Sequence, residues 1–215
     1  MNEYFSYFIE KFGPTIDPIF PTPPQIASYA EAVPQSLVEF WSQCGWGGYS
    51  EGLVWSTDPG DLSSAVSSWL DGTELLAKDQ YVVVARSAFG KLFLWGKHSG
   101  VNIRIDPLSS LITTSPPNAR ISQGKSDLVI GSFFHSLKLD SLDFEDTEEK
   151  GLFKRALKKL GRLKSDEMYA FEPALAMGGM PRIESIVKVK MEEQLILLAQ
   201  ITEPEILHID VSRHV

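Results

Sequence analysis

Two apolar runs, Tyr81-Val-Val-Val-Ala85 and Leu92-Phe-Leu-Trp95, constrain this chain more than any other feature. Each is short and unbroken, which suits a strand covered on both faces. Phe89-Gly90 stands between them at hairpin distance. Val101-Asn-Ile-Arg-Ile-Asp106 alternates instead, so it predicts a strand with one face toward water. With Gly52–Thr57 as a further strand upstream, these segments predict an antiparallel meander that ends near Thr114.

Helical spacing dominates on either side. Tyr4, Phe5, Phe8, Ile9 and Phe12 predict a first helix, stopped by Gly13-Pro14. Pro18, Pro21, Pro23 and Pro24 predict an extended connector, followed by a helix over Gln25–Glu31. A third helix follows Pro34, with Leu37, Val38, Phe40 and Trp41 as its buried stripe and Gly45 as its stop. Gly45–Gly52 reads as a glycine-permitted turn that carries Trp46 and Tyr49, and Asp61 as the N-cap of a helix over Leu62–Leu70. Ser115-Pro-Pro-Asn118 is the candidate boundary. Beyond it come helices over Asp127–Leu139 and Glu148–Leu163, with an acidic connector between them. Ser165–Leu175 reads as an ordered loop pinned by Tyr169 and Phe171, Ile183–Met191 as a strand, and Glu192–Ile201 as a helix. The expectation is an α+β fold: an antiparallel sheet flanked by helices over residues 1–117, with a mainly helical C-terminal subdomain over residues 118–215.

Composition narrows the function. At 215 residues with 43% hydrophobic content, the chain can bury a substantial core. Its net charge of −8 argues against direct nucleic-acid binding, which needs a dense Lys/Arg surface. A basic protein partner suits it better. The single cysteine, Cys44, excludes an internal disulfide and a Cys-rich zinc site. His98, His135, His208 and His214 are scattered, so no metal or cofactor is expected. Glu3 stands where a secretion signal would be basic, and no apolar run could span a bilayer. A cytoplasmic protein without a membrane partner is expected.

Candidate reaction centres are weak. Gly45, Gly47 and Gly48 lack the Lys-Ser/Thr pair and following helix of a phosphate loop. Cys44 sits at a helix C-terminus, the wrong pole for stabilising a thiolate. Asp58 and Asp61 read as turn and cap residues before they read as an acid/base pair. The chain is therefore expected not to be an enzyme. Charge is more informative. Asp140, Asp143, Glu145, Asp146, Glu148 and Glu149 place six acids in ten residues, and six bases follow between Lys154 and Lys164. Such a run is compatible with helix-dipole pairing and also with steering a basic partner. Asp166, Glu167 and Tyr169 mark a second candidate contact.

Several stretches also form a recognisable pattern. Leu37–Tyr49, Gly52–Trp55, Asp79–Tyr81 and Ala85–Gly96 resemble an N-terminal domain called GAD-like. Leu152-Phe153, Ala156–Gly161, Asp166–Leu175, Gly178-Gly179 and Leu195–Gln200 resemble the C-terminal domain that commonly follows it. The pairing is similar to immunity proteins encoded beside type VI secretion DNase effectors. That resemblance implies a cognate secreted nuclease toxin as partner, held in the cytoplasm by binding alone. Pro34, Leu37 and Phe40 are also similar to the helix of the SUKH superfamily, which would imply a binding module or immunity against another toxin class.

Overall fold

In the computed structural model, residues 2–209 are described. The first helix, α1 (Glu3–Phe12), starts where the Asn2 side chain accepts from the Phe5 N–H, and it buries Phe5, Phe8 and Phe12. Then follow β1 (Ile16–Ile19), α2 (Pro23–Tyr29), α3 (Gln35–Cys44), β2 (Trp46–Tyr49) and β3 (Val54–Ser56). A single 3-10 turn over Pro59–Leu62 leads into α4 (Ser63–Leu70). The meander is β4 (Tyr81–Ser87), β5 (Leu92–Gly96), β6 (Gly100–Asp106) and β7 (Leu111–Thr114). Next come α5 (Ala119–Ser122), α6 (Ser126–Ser136), α7 (Leu139–Leu142) and α8 (Phe153–Leu160). The described chain closes with β8 (Glu167–Phe171), β9 (Ile186–Lys190), α9 (Met191–Ile201) and β10 (Glu205–His208).

Eight strands form one sheet in the order β1-β2-β3-β4-β5-β6-β7-β10. All neighbours are antiparallel except β10, which runs parallel to β7. The α+β class is as expected. β5 is buried along its whole length, whereas β6 alternates, matching the two sequence patterns that predict them. A separate two-stranded antiparallel sheet pairs β8 with β9.

Five expectations need correction. Trp46–Tyr49 is a strand inside the sheet, and the chain reverses only at Ser50–Gly52. The glycines serve close packing: a Cβ on Gly47 would lie 2.5 Å from Thr15 Cγ2, and one on Gly48 3.0 Å from the Trp55 ring. The proline-rich connector contains β1, which tolerates Pro18 because it is an edge strand. Asp58, not Asp61, supplies the cap: its side chain accepts from the Gly60 N–H, and the α-helix proper starts at Ser63. The acid-to-base helix begins at Phe153 instead of Glu148, because Asp146 holds the preceding residues in a loop. Residues 167–171, expected in a loop, form β8.

One buried cluster runs through both halves of the chain. Trp69 on α4 donates its indole N–H to Leu195 O on α9 at 2.9 Å. The Tyr169 N–H donates to Ala88 O at 2.9 Å, tying β8 to the β4–β5 turn. Gly90 is needed there, since a Cβ would lie 2.5 Å from Met168 Cε and its φ is 76°.

Candidate partner-binding surfaces

The acidic run divides into carboxylates held by the fold and carboxylates left to solvent. Asp143 Oδ1 accepts from the N–H groups of Phe144, Phe153 and Leu152 at 2.7, 2.8 and 3.2 Å. It thereby satisfies amides at the start of α8. Burial pushes its pKa up, and the three amides oppose that rise. Asp146 pairs with Arg155 and accepts from the Glu148 and Lys150 N–H groups at 2.9 and 3.0 Å. The Arg155 hydrogen bond is the main reason its pKa falls to about 2. Glu148 pairs with Lys150 at 2.7 Å. Asp140, Glu145 and Glu149 are exposed and have no side-chain partner among the described residues.

The second candidate group lies on β8 and the residue before it. Asp166 pairs with Lys190 on β9, and its carboxyl is held below the usual range chiefly by that hydrogen bond. Glu167 accepts from the Lys164 N–H at 2.9 Å and lies 3.7 Å from Lys188 Nζ. Tyr169 is fully buried and donates its hydroxyl to Gly161 O at 2.6 Å. Burial, its largest influence, pushes the phenol up to about 12.

Beside Asp166 the fold builds a cleft that no single stretch of sequence outlines. Two hollows of ≈ 200 and ≈ 430 Å³ share Asp61, Leu62, Ser165 and Met191 as walls. Their acidic lining is Asp58, Asp61, Asp166, Glu192 and Glu193, against the one base Lys190. Backbone geometry joins the two sides, because the Met191 N–H donates to Asp166 O at 2.9 Å. Glu192 and Glu193 stand in the first turn of α9, where the helix dipole favours negative charge. Asp58 is fixed by the Tyr29 hydroxyl at 2.6 Å and by Gln25 Nε2 at 3.2 Å. Asp61 differs, since no donor reaches its carboxylate among the described residues. Its pKa is raised first by burial and then by the charges of Asp58, Glu192 and Asp166.

Arg86 backs this cleft. It is fully buried, donates to Ser165 O at 2.8 Å, and lies 4.5 Å over the Trp55 ring. Burial pushes its pKa down to about 9, with the Asp166 charge opposing. A buried cation thus fastens the loop at residues 164–165 to the main sheet. Trp55 is also donor to Gly52 O at 2.8 Å, so the wall is rigid.

Other candidates supply no comparable arrangement. Cys44 is partly exposed, and burial pushes its thiol pKa up, away from a nucleophilic thiolate. His98 and His208 line a cavity of ≈ 360 Å³, while His214 lies outside the described residues. Among the described residues, no group of three or more His, Cys, Asp or Glu side chains could hold a metal ion. No helix among them is long and apolar enough to cross a membrane.

Two family models match successive parts of the chain. Residues 3–109 match the GAD-like domain. Residues 128–202 match the C-terminal domain of T6SS immunity protein Tdi1. The fold is similar to the crystal structure of Atu4351 from Agrobacterium tumefaciens, with a TM-score of 0.85 and 23% identity. That alignment covers 98% of this chain and 94% of the other, and at this identity it speaks to fold alone. No curated protein matches the sequence.

Proposed function

We propose that this chain neutralises a cognate secreted DNase toxin in the cytoplasm of the producing cell by binding it, without turning over a substrate. The observation that carries the reading is the match of residues 128–202 to the immunity-protein domain. The chain's net charge of −8 supports a nuclease target, because an enzyme that grips DNA must present a basic surface. Asp140, Glu145 and Glu149 act as the steering charges of the acidic run, and Asp143, Asp146 and Glu148 hold that run in shape. Asp166 and Glu167 extend the contact surface toward the cleft, over the scaffold that Tyr169 supports. The two units divide near residues 117 and 118, in the gap between the two matched segments.

Co-expression with the toxin encoded by the neighbouring reading frame is the test. Cells survive, and the two proteins migrate together on gel filtration. Undiminished killing in the presence of soluble protein, with no joint peak, refutes the reading.

A further inference from the structure

We propose that the cleft beside Asp61 takes an arginine side chain of the protein partner, seated among the Asp61, Asp166 and Glu192 carboxylates. The proposal deepens the toxin-binding reading and rests on it for the partner's identity. Three observations lead to it.

The first is uncompensated charge. Five carboxylates line the two hollows against Lys190 alone, and Lys190 is already paired with Asp166. Asp61 faces three other acids and has no donor of its own among the described residues. An incoming cation relieves that repulsion. Arginine fits better than lysine, because its planar fork of five N–H donors can bridge carboxylates that converge from separate segments.

The second is unsatisfied polarity at the inner wall. Trp46 and Thr57 line the cleft and are 4% and 7% exposed. Trp46 Nε1 and Thr57 Oγ1 have no hydrogen-bond partner among the described residues. Buried polar groups are ordinarily paired, so these two would be stabilised by a partner that reaches the inner wall. The Thr57 hydroxyl can accept from a guanidinium, whereas the indole N–H needs a carbonyl. A residue that brings both a cation and a peptide carbonyl satisfies the pair.

The third is the rim. Ile19 lines the cleft at 55% exposure, and the adjoining Phe20 is 58% exposed. Exposed apolar side chains flanking a charged pocket are the arrangement that excludes water around an interface anchor.

The test has two arms, both on the full chain. In the first, ¹⁵N-labelled protein is titrated with Nα-acetyl-L-argininamide while the Trp46 indole resonance is followed. A saturable shift is expected, absent with the neutral citrulline analogue and abolished in the Asp61→Asn/Glu192→Gln variant. No shift, an equal shift with citrulline, or an unchanged shift in the variant overturns the proposal. A stronger response to the lysine analogue overturns the choice of arginine. Neither replaced carboxylate accepts a hydrogen bond in the fold, so circular dichroism should show the variant folded. In the second arm, the neighbouring toxin should bind that variant at least about thirtyfold more weakly than wild type. A toxin complex that the double substitution leaves unweakened overturns the arginine site and spares the immunity reading. No complex with wild type overturns the immunity reading, and the first arm then decides the cleft alone.

Discussion

The run at residues 140–149 and the cleft beside Asp61 are both rich in carboxylates, yet the two regions use them in opposite ways. Within the run, Asp143 and Asp146 accept from backbone amides and Arg155, and Glu148 has Lys150. Much of its charge is part of the scaffold. Within the cleft, the charges of Asp58, Glu192 and Asp166 add to burial in raising the Asp61 pKa, and Lys190, the one base of the lining, is paired with Asp166. The dense cluster ties half of its acids into the fold and leaves Asp140, Glu145 and Glu149 exposed, whereas the dispersed one leaves Asp61, Glu192 and Glu193 to face the cleft. Acid density along a sequence is therefore a poor guide to the charge a surface can offer.

The largest expected effect falls on the wall of the cleft. Arg86→Ala removes a fully buried cation and leaves Ser165 O without its donor, so urea unfolding should show a loss of about 3 kcal/mol or more. A loss below about 1 kcal/mol would mean that the loop at 164–165 does not depend on this side chain.

The next two substitutions set the regions against each other. Asp143→Ala removes the acceptor shared by the Leu152 and Phe153 amides at the start of α8 and by the neighbouring Phe144 amide, and should cost about 1 kcal/mol. Asp61→Asn should instead raise stability at pH 7, by about 0.5 kcal/mol, since it removes repulsion without removing a hydrogen bond. The sign follows from linkage. A carboxyl whose folded pKa is raised binds more protons in the native state, so it lowers stability as pH rises through that range. The advantage of Asn should therefore shrink on acidification, and equal stability at neutral pH would remove the contrast.

Asp146 should behave in the opposite sense. Its pKa is lowered from 3.8 to about 2, so its stabilisation is complete above 3.8 and disappears as pH falls toward 2. Asp146→Asn should flatten that part of the acid-unfolding curve. The smallest effect belongs to the exposed acids of the run. Neutralising Asp140, Glu145 and Glu149 together should slow toxin association several-fold at low salt and leave the unfolding curve unchanged.

The sequence makes the meander legible because Leu92–Trp95 and Val101–Asp106 carry their burial patterns in consecutive residues. α1 and α3 are equally readable from aromatic spacing and from Gly13 and Gly45 as stops. Trp46–Tyr49 misleads because glycine ordinarily signals a turn, and only the closeness of Thr15 and Trp55 explains Gly47 and Gly48 within a strand. The cleft is harder still. Asp61, Asp166 and Glu192 are dispersed in the sequence and meet only through the Met191–Asp166 backbone bond and the packing of α4 on α9. Asp61 and Glu192 read locally as a cap and a helix start, and the sequence offers no local sign of their convergence.

Side-by-side calorimetry of the neighbouring toxin against two variants tests the division of labour between the regions most directly. Asp61→Asn/Glu192→Gln should bind at least about thirtyfold more weakly, while Asp140→Asn/Glu149→Gln should keep an affinity close to wild type in moderate salt. The reverse ranking, with the cleft variant unaffected and the run variant crippled, would contradict the anchoring role assigned to the cleft.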